Sequence, residues 1–118
     1  MKIKTVDLTG AALDWAVATA NGDYPYENAK WGEFFTNNCE TLNYSTNWAH
    51  GGPIIERECI QLEYRVAVQW IATRVEGSSV CEVSVPYNQK GRPQLIAAMR
   101  CYVMSQLGDE IEIPEELK

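Results

Sequence analysis

The 118-residue sequence contains no long apolar segment typical of a membrane protein, and we expect no leader of an exported one. No apolar run approaches the roughly 20 residues that an α-helix needs to cross a bilayer. No hydrophobic signal region follows the charged start Met1-Lys2-Ile3-Lys4. The sequence therefore predicts a protein of the cytoplasm that does not enter the membrane.

Positive charge and metal ligands are also scarce. Ten Lys and Arg residues stand against 16 Asp and Glu residues, and the net charge of −6 works against binding of nucleic acid or an anionic membrane. The one histidine, His50, and four cysteines without a Cys-x-x-Cys pair do not make a zinc site. We therefore expect no nucleic acid partner, no metal and no cofactor.

The cysteine pattern favours free thiols over disulfides, because a cytoplasmic chain is kept reduced. The four residues are Cys39, Cys59, Cys81 and Cys101. We expect their side chains to be buried, with Cys59 turned into the core and Cys101 serving as a small hydrophobic residue of a helix.

What is present is a globular composition, with 46% hydrophobic and 22% charged residues in a chain long enough for its own core. Helices are predicted at Leu8 to Ala20 and Gln94 to Leu107, the first begun by Thr9 and ended by Asn21-Gly22. Strands are predicted at Ile60 to Tyr64, Val66 to Arg74, Val80 to Val85 and Ile111 to Ile113. The fold class is α+β: one domain over residues 1–118, with a small antiparallel sheet packed against two main helices and a long aromatic-rich loop at about residues 23–52.

The second predicted helix has little charge on either face. Its side opposite the core stripe offers Ala97, Cys101 and Met104, and Arg100 is its one charged residue. An exposed helix face normally carries more charge, so we expect this face to be covered by the long loop or by a second copy in a homodimer. Arg100 would then be partly buried and would need an anionic partner, either Glu56 or Glu58 or a bound anion.

A candidate site follows from Gly51-Gly52-Pro53, because paired glycines are typical of a tight turn or of close approach by the backbone. One interpretation is a turn with no further role, with Pro53 at the first position of a short helix. The other is an anion site formed by backbone N–H groups at that helix start, with Trp48 stacking on a planar ligand. The predicted ligand-binding residues are Trp48, Gly51, Gly52, Glu56, Arg57, Glu58 and Arg100.

The two glutamates of this segment also allow an enzymatic interpretation. In an extended backbone, Glu56 and Glu58 would share one face and could act as acid and base. In a helix they would diverge, and they would then be surface partners of Arg57. We expect Asp14, on the first predicted helix, to be solvated.

Four segments resemble the phage NinX family of short proteins from lambdoid bacteriophages and prophages. They are residues 8–18, residues 45–58 with the element Gly-Gly-Pro-Ile-Ile-Glu-Arg-Glu, residues 95–103, and residues 107–114. The resemblance implies a phage accessory protein acting in the cytoplasm of a bacterial host, and it implies no particular chemistry.

Two functions are consistent with these patterns. The first is a non-enzymatic binding module for a small anionic ligand or a host protein, favoured by the glycine pair, the aromatic loop and the missing catalytic constellation. The alternative is a small hydrolase that uses Glu56 or Glu58, with Arg57 or Arg100 holding an anionic substrate. Convergence of these side chains on an open cleft would favour the enzyme.

Overall fold

A computed structural model describes residues 2–22, 34–35, 41–66 and 68–113 of the chain. The α-helices of this part are α1 (Gly10–Asn21), α2 (Trp48–Arg57) and α3 (Pro93–Leu107). The strands are β1 (Lys2–Lys4), β2 (Phe34–Phe35), β3 (Thr41–Leu42), β4 (Gln61–Arg65), β5 (Gln69–Glu76), β6 (Ser79–Pro86) and β7 (Glu110–Glu112), and Thr5–Asp7 forms a 3₁₀ turn. The architecture is α+β, as predicted.

Helix α3 lies at the centre of the fold. Every residue from Leu95 to Val103 is buried, because α1 packs against the helix and strands β5 and β6 cover it as well. The prediction that both faces of this helix are covered is therefore confirmed, and the cover comes from the chain itself. Ala97 and Cys101 are fully buried inside one protomer, whereas Met104 of the same face is half-buried, and the homodimer stays a prediction.

Strands β4, β5 and β6 form an antiparallel sheet in sequence order. The β5–β6 hairpin turns at Gly77-Ser78, where Gly77 has a φ of 60° and Glu76 pairs with Ser79. A two-residue hairpin needs positive φ at this position, which glycine supplies without strain. The cross-strand pair Ala72–Val83 is buried against α3, so this face of the sheet forms part of the core.

Helix α1 begins and ends where the sequence predicts. Thr9 precedes it in an extended conformation, and Gly22 ends it with a φ of 81°, the left-handed geometry that glycine favours. Near the chain ends, β1 pairs with β7 in antiparallel register, with Ile3 opposite Ile111. The Thr5 hydroxyl donates a hydrogen bond to the Gly108 carbonyl, which ties the 3₁₀ turn to the end of α3.

The predicted turn at Gly51-Gly52 is wrong, because both glycines lie within helix α2. It begins at Trp48, and the side chain of Asn47 accepts a hydrogen bond from the Ala49 N–H as an N-cap. Gly51 and Gly52 therefore lie inside the helix, and Pro53 lies beyond them rather than at the first helical position. The residues from Trp48 to Gly52 are not part of an irregular loop.

The three thiols among the described residues, those of Cys59, Cys81 and Cys101, are free, as predicted, but only one of them is fully buried. Cys101 is buried in α3, where burial raises the pKa of its thiol to about 12. Cys81 is half-buried on β6. Cys59 is exposed instead of facing the core, because it adopts a φ of 54° in the turn that follows α2.

Part of the predicted aromatic-rich loop lies outside the described residues. This holds for residues 23–33 and 36–40, which include Trp31 and Cys39. Residues 114–118 lie outside them as well.

Candidate functional site

The predicted glycine site does not present its amides to a ligand. The Gly51 N–H donates to the Asn47 carbonyl at 3.0 Å as part of the helical pattern. Gly51 itself is buried, and a Cβ placed on it would lie 2.5 Å from the Tyr44 carbonyl oxygen. The glycine is therefore required by close packing of α2 on the Tyr44 backbone, and it leaves no N–H for an anion. Trp48, one turn earlier, is 40% exposed.

Glu56 and Glu58 do not form a carboxylate pair. Glu56 lies within α2 and Glu58 ends it, so their side chains point in different directions around the helix. Glu56 is exposed, whereas Glu58 is half-buried. The extended arrangement required for the hydrolase alternative is not formed.

Glu58 instead joins two arginines in an ion-pair cluster. Its Oε2 accepts from Arg57 Nε at 2.8 Å and its Oε1 accepts from Arg74 Nη2 at 2.9 Å. Arg74 also pairs with Glu76 at 2.8 Å. Hydrogen bonding from Arg57, aided by the charge of Arg74, holds the pKa of the Glu58 carboxyl below its usual value. The cluster connects the end of α2 to β5.

Arg57 extends the same cluster to the two other helices. Its Nη2 donates to Asn21 Oδ1 at 2.7 Å and to the Tyr102 hydroxyl at 3.3 Å. The guanidinium also lies 5.8 Å from the centre of the Tyr102 ring, within the range of a cation–π interaction. Arg57 thus joins the ends of α1 and α2 to α3, which is a structural role.

Replacing Glu58 with glutamine is expected to lower the free energy of unfolding by about 1 kcal/mol at neutral pH. Because the folded-state pKa of Glu58 is lowered, its stabilising contribution is complete above the unfolded pKa and is lost as the pH falls through the folded pKa. The difference between wild type and Glu58→Gln should therefore disappear in acid. Urea denaturation at several pH values measures it.

The matched control is Glu63→Gln. Glu63 pairs with Arg65 at 3.7 Å, and both side chains are more than half exposed, so its loss should change stability little. Equal stabilities of Glu58→Gln and wild type at neutral pH would contradict the structural role given to the cluster.

Arg100 does not join this cluster, and the predicted ion pair with Glu56 or Glu58 is wrong. Its Nε donates to the Leu8 carbonyl oxygen at 2.8 Å, and the residue is 7% exposed. Burial lowers the pKa of its guanidinium, and the charge of Asp7 partly offsets this. The partner of Arg100 Nε is therefore a backbone carbonyl just before the start of α1.

Asp14 is also placed differently from the prediction, since it is 5% exposed. Its Oδ1 accepts a hydrogen bond from the Ser45 N–H at 2.9 Å, which fixes the 43–47 turn on α1. Burial raises the pKa of the Asp14 carboxyl, and the nearby Ser45 hydroxyl, the Ser45 N–H and the charge of His50 partly lower it again. Asp14 is a buried carboxyl rather than a solvated one.

A cavity of about 390 Å³ opens where the starts of α1 and α3 meet the 43–47 turn. The sequence analysis did not predict it. Its lining residues are Thr9, Gly10, Ser45, Thr46, Gln89, Lys90, Gly91, Arg92 and Ile96. These residues supply hydroxyl, amide and cationic groups, and they include no carboxylate, imidazole or thiol.

The two helix starts at this cavity lack capping side chains. Thr9 at α1 and Arg92 at α3 make no side-chain hydrogen bond to their helices, and neither helix has an acidic residue in its first turn. Helix α2 differs, because the Asn47 side chain caps it. The first N–H groups of a helix have no partner within the helix and carry the positive end of its dipole. Thr9 and Gly10 at the start of α1 and Arg92 at the start of α3 line the cavity, so the positive ends of both helix dipoles lie beside it and favour an anion there.

Two cations and a buried hydroxyl complete the lining. Lys90 and Arg92 precede α3, and Arg92 Nε donates to the Thr46 carbonyl at 2.8 Å, which holds the arginine at the cavity edge. Ser45 is 1% exposed, and although its Oγ lies near Asp14 it has no partner within hydrogen-bonding geometry. A buried hydroxyl without a hydrogen bond is unfavourable unless a ligand or water completes it.

Other classes of site find little support in the part of the chain that the structure describes. No group of three or more His, Cys, Asp or Glu side chains there is placed to hold a metal ion. None of its helices is long and apolar enough to span a bilayer.

These features define a small α+β domain. The starts of α1 and α3, which carry no side-chain cap, meet at a polar cavity in the part of the chain that the structure describes. The family model described as "Bacteriophage P22, NinX" matches residues 4–106, which is most of the chain. The chain therefore belongs to the phage NinX family, as its sequence predicted, and it is a phage accessory protein. None of the curated proteins matches it.

Proposed function

We propose that this protein is a non-enzymatic binding module that holds a small anionic ligand in the cavity between the starts of α1 and α3. The observation that carries the proposal is the convergence of two uncapped helix starts on one cavity that Lys90 and Arg92 also line. Each helix dipole typically contributes about 0.3–1 kcal/mol toward a nearby anion, and hydrogen bonds to charged groups contribute about 1.5–3 kcal/mol each. These are the terms that would favour an anion at this cavity.

Binding without catalysis is favoured by the chemistry of the lining. A hydrolase needs a positioned acid, base or nucleophile at the substrate, and the cavity residues offer only Ser45 and the two threonines as oxygen nucleophiles. His50 Nδ1 accepts a hydrogen bond from the Asn43 N–H at 3.0 Å, so this nitrogen is not positioned as a base toward Ser45. Of the two glutamates of the hydrolase alternative, Glu58 lies in the separate ion-pair cluster and Glu56 is exposed on α2, and neither lines the cavity.

The proposal predicts that Lys90→Gln and Arg92→Gln each weaken anion binding by about tenfold, because each removes one charge-assisted contact. The double variant should show no thermal stabilisation by ligand. Differential scanning fluorimetry against inorganic phosphate, nucleotides and phosphorylated metabolites measures this, since a ligand that binds only the native state raises Tm.

The matched control is Arg65→Gln, which removes the same charge from an exposed residue of β4. It should leave every ligand-induced shift in Tm unchanged. If no anion stabilises the wild type, or if Arg65→Gln weakens binding as much as Arg92→Gln, the cavity is not an anion site.

Binding of a host protein is a second candidate, favoured by exposed apolar residues at one end of the sheet. Tyr64, Val66, Val68 and Tyr87 are each 45–79% exposed, and the Tyr87 N–H donates to the Val68 carbonyl, which places the last two side by side. Contiguous exposed apolar surface is typical of protein-binding regions. Loss of a host partner in Val68→Ser, with unchanged anion binding, would support this candidate.

A further inference from the structure

We infer that Asp14 acts through the Ser45 hydroxyl to make anion binding in this cavity proton-coupled, so that the site holds its ligand more tightly when Asp14 is neutral. The inference rests on the proposed function and adds its regulation. Ser45 is the residue shared by the two sites, because it lines the cavity and its N–H is bonded to Asp14.

The geometry places Asp14 directly behind the cavity wall. Its Oδ1 accepts the Ser45 N–H at 2.9 Å, and both residues are at most 5% exposed. The Ser45 Oγ makes no hydrogen bond to the protein, so its proton can be donated either to Asp14 or toward the cavity. A hydroxyl can donate one hydrogen bond and accept others, and its hydrogen rotates to the stronger acceptor.

The protonation state of Asp14 decides whether the Ser45 hydroxyl donates its hydrogen bond to Asp14 or to the bound anion. An ionised carboxylate attracts the Ser45 proton and repels an anion across the wall, in a buried setting where charges are weakly screened. A neutral carboxyl can instead donate to Ser45 Oγ, which leaves the Ser45 proton free to be donated to the anion. When the anion binds to the form with ionised Asp14, the Asp14 carboxylate takes up one proton from solvent, and no covalent bond to a heavy atom is formed or broken. Burial raises the pKa of the Asp14 carboxyl and so favours its neutral form.

The other charged groups around Asp14 have different roles. His50, from α2, is the ionisable residue whose charge acts on the Asp14 carboxyl. On α3, the guanidinium of Arg100 is bonded to the Leu8 carbonyl. Lys90 and Arg92 are the cationic residues of the cavity lining itself. A pH dependence of binding must therefore come from Asp14, from His50 or from the ligand.

Sodium sulfate is a suitable probe because sulfate keeps both of its negative charges between about pH 5.0 and about pH 7.5. A pH dependence of sulfate binding therefore cannot come from titration of the ligand. Its dissociation constant is measured by calorimetry at about pH 7.5 and about pH 5.0, at constant ionic strength set with sodium chloride. We expect wild type to bind sulfate about tenfold more tightly at the lower pH, the effect of one added hydrogen bond to an anion. Asp14→Asn should bind with the tighter value at both pH values, because its amide is neutral and can still accept the Ser45 N–H.

Ser45→Ala provides the second variant, and it keeps the backbone bond to Asp14. It should bind sulfate with the weaker value and with little pH dependence. Equal affinities of wild type at the two pH values, or a pH dependence that persists in Asp14→Asn and so belongs to His50, would overturn the inference while leaving the anion site in place. If sulfate does not bind wild type at either pH, the proposed function fails and this inference fails with it.

Discussion

Replacing Gly51 with alanine is expected to lower the free energy of unfolding by about 3 kcal/mol. The new Cβ would lie 2.5 Å from the Tyr44 carbonyl oxygen and 2.8 Å from Leu95 Cδ2. The leucine side chain can shift, but the carbonyl belongs to the backbone of the 43–47 turn and cannot move without displacing it. Overpacking of this kind costs about 1–3 kcal/mol and occasionally more, which exceeds the gain of about 1 kcal/mol from the higher helix propensity of alanine.

The neighbouring Gly52→Ala is the matched control. It makes the same chemical change in the same helix, and the nearest atom to its Cβ would be Trp48 Cε3 at 4.0 Å. Gly52→Ala should therefore stabilise the protein by about 0.5–1 kcal/mol. Chemical denaturation measures both variants, and the change in the free energy of unfolding should be negative for Gly51→Ala and positive for Gly52→Ala. A Gly51→Ala protein as stable as wild type would contradict the close packing of α2 on Tyr44.

The second large effect is expected at Arg100, where alanine should cost about 3 kcal/mol. The substitution leaves a cavity in the buried centre of α3 and removes the donor to the Leu8 carbonyl. The measurement is the unfolding free energy in urea at neutral pH.

Arg100→Met separates packing from charge. Methionine refills most of the volume and removes the desolvation cost of a buried guanidinium, so this variant should lie within about 1 kcal/mol of wild type. If Arg100→Met is as unstable as Arg100→Ala, Arg100 is needed for its hydrogen bond and charge rather than for its volume.

The sequence was most informative where one local signal decides the structure. The left-handed stop at Gly22 and the nearly uncharged helix α3 were predicted because each is encoded by residues adjacent in the chain. The glycine pair at 51–52 was misinterpreted because a glycine required by a tertiary contact looks like a glycine required by a turn. Only the position of the Tyr44 carbonyl distinguishes the two.

Local sequence signals could not predict the cavity, because its wall comes from separate segments near residues 9, 45 and 91. The signals that were present are Lys90-Gly91-Arg92-Pro93, which places two cations before a helix, and Thr9-Gly10, which begins another. Nothing in the sequence brings them together. The partner of Arg100 was missed for a related reason, because it is a backbone carbonyl and no residue type marks it.

The central claim is that the starts of α1 and α3 hold an anion, and an amide-resolved NMR titration with sodium sulfate tests it most directly. The account predicts saturable chemical-shift changes at the Gly10 and Ala12 amides of α1 and at the Gln94 and Leu95 amides of α3, with one common dissociation constant. The capped start of α2, reported by the Ala49 amide, should not respond. Absence of saturable shifts at both helix starts, or shifts centred on Ala49 and Gly51 instead, would contradict it.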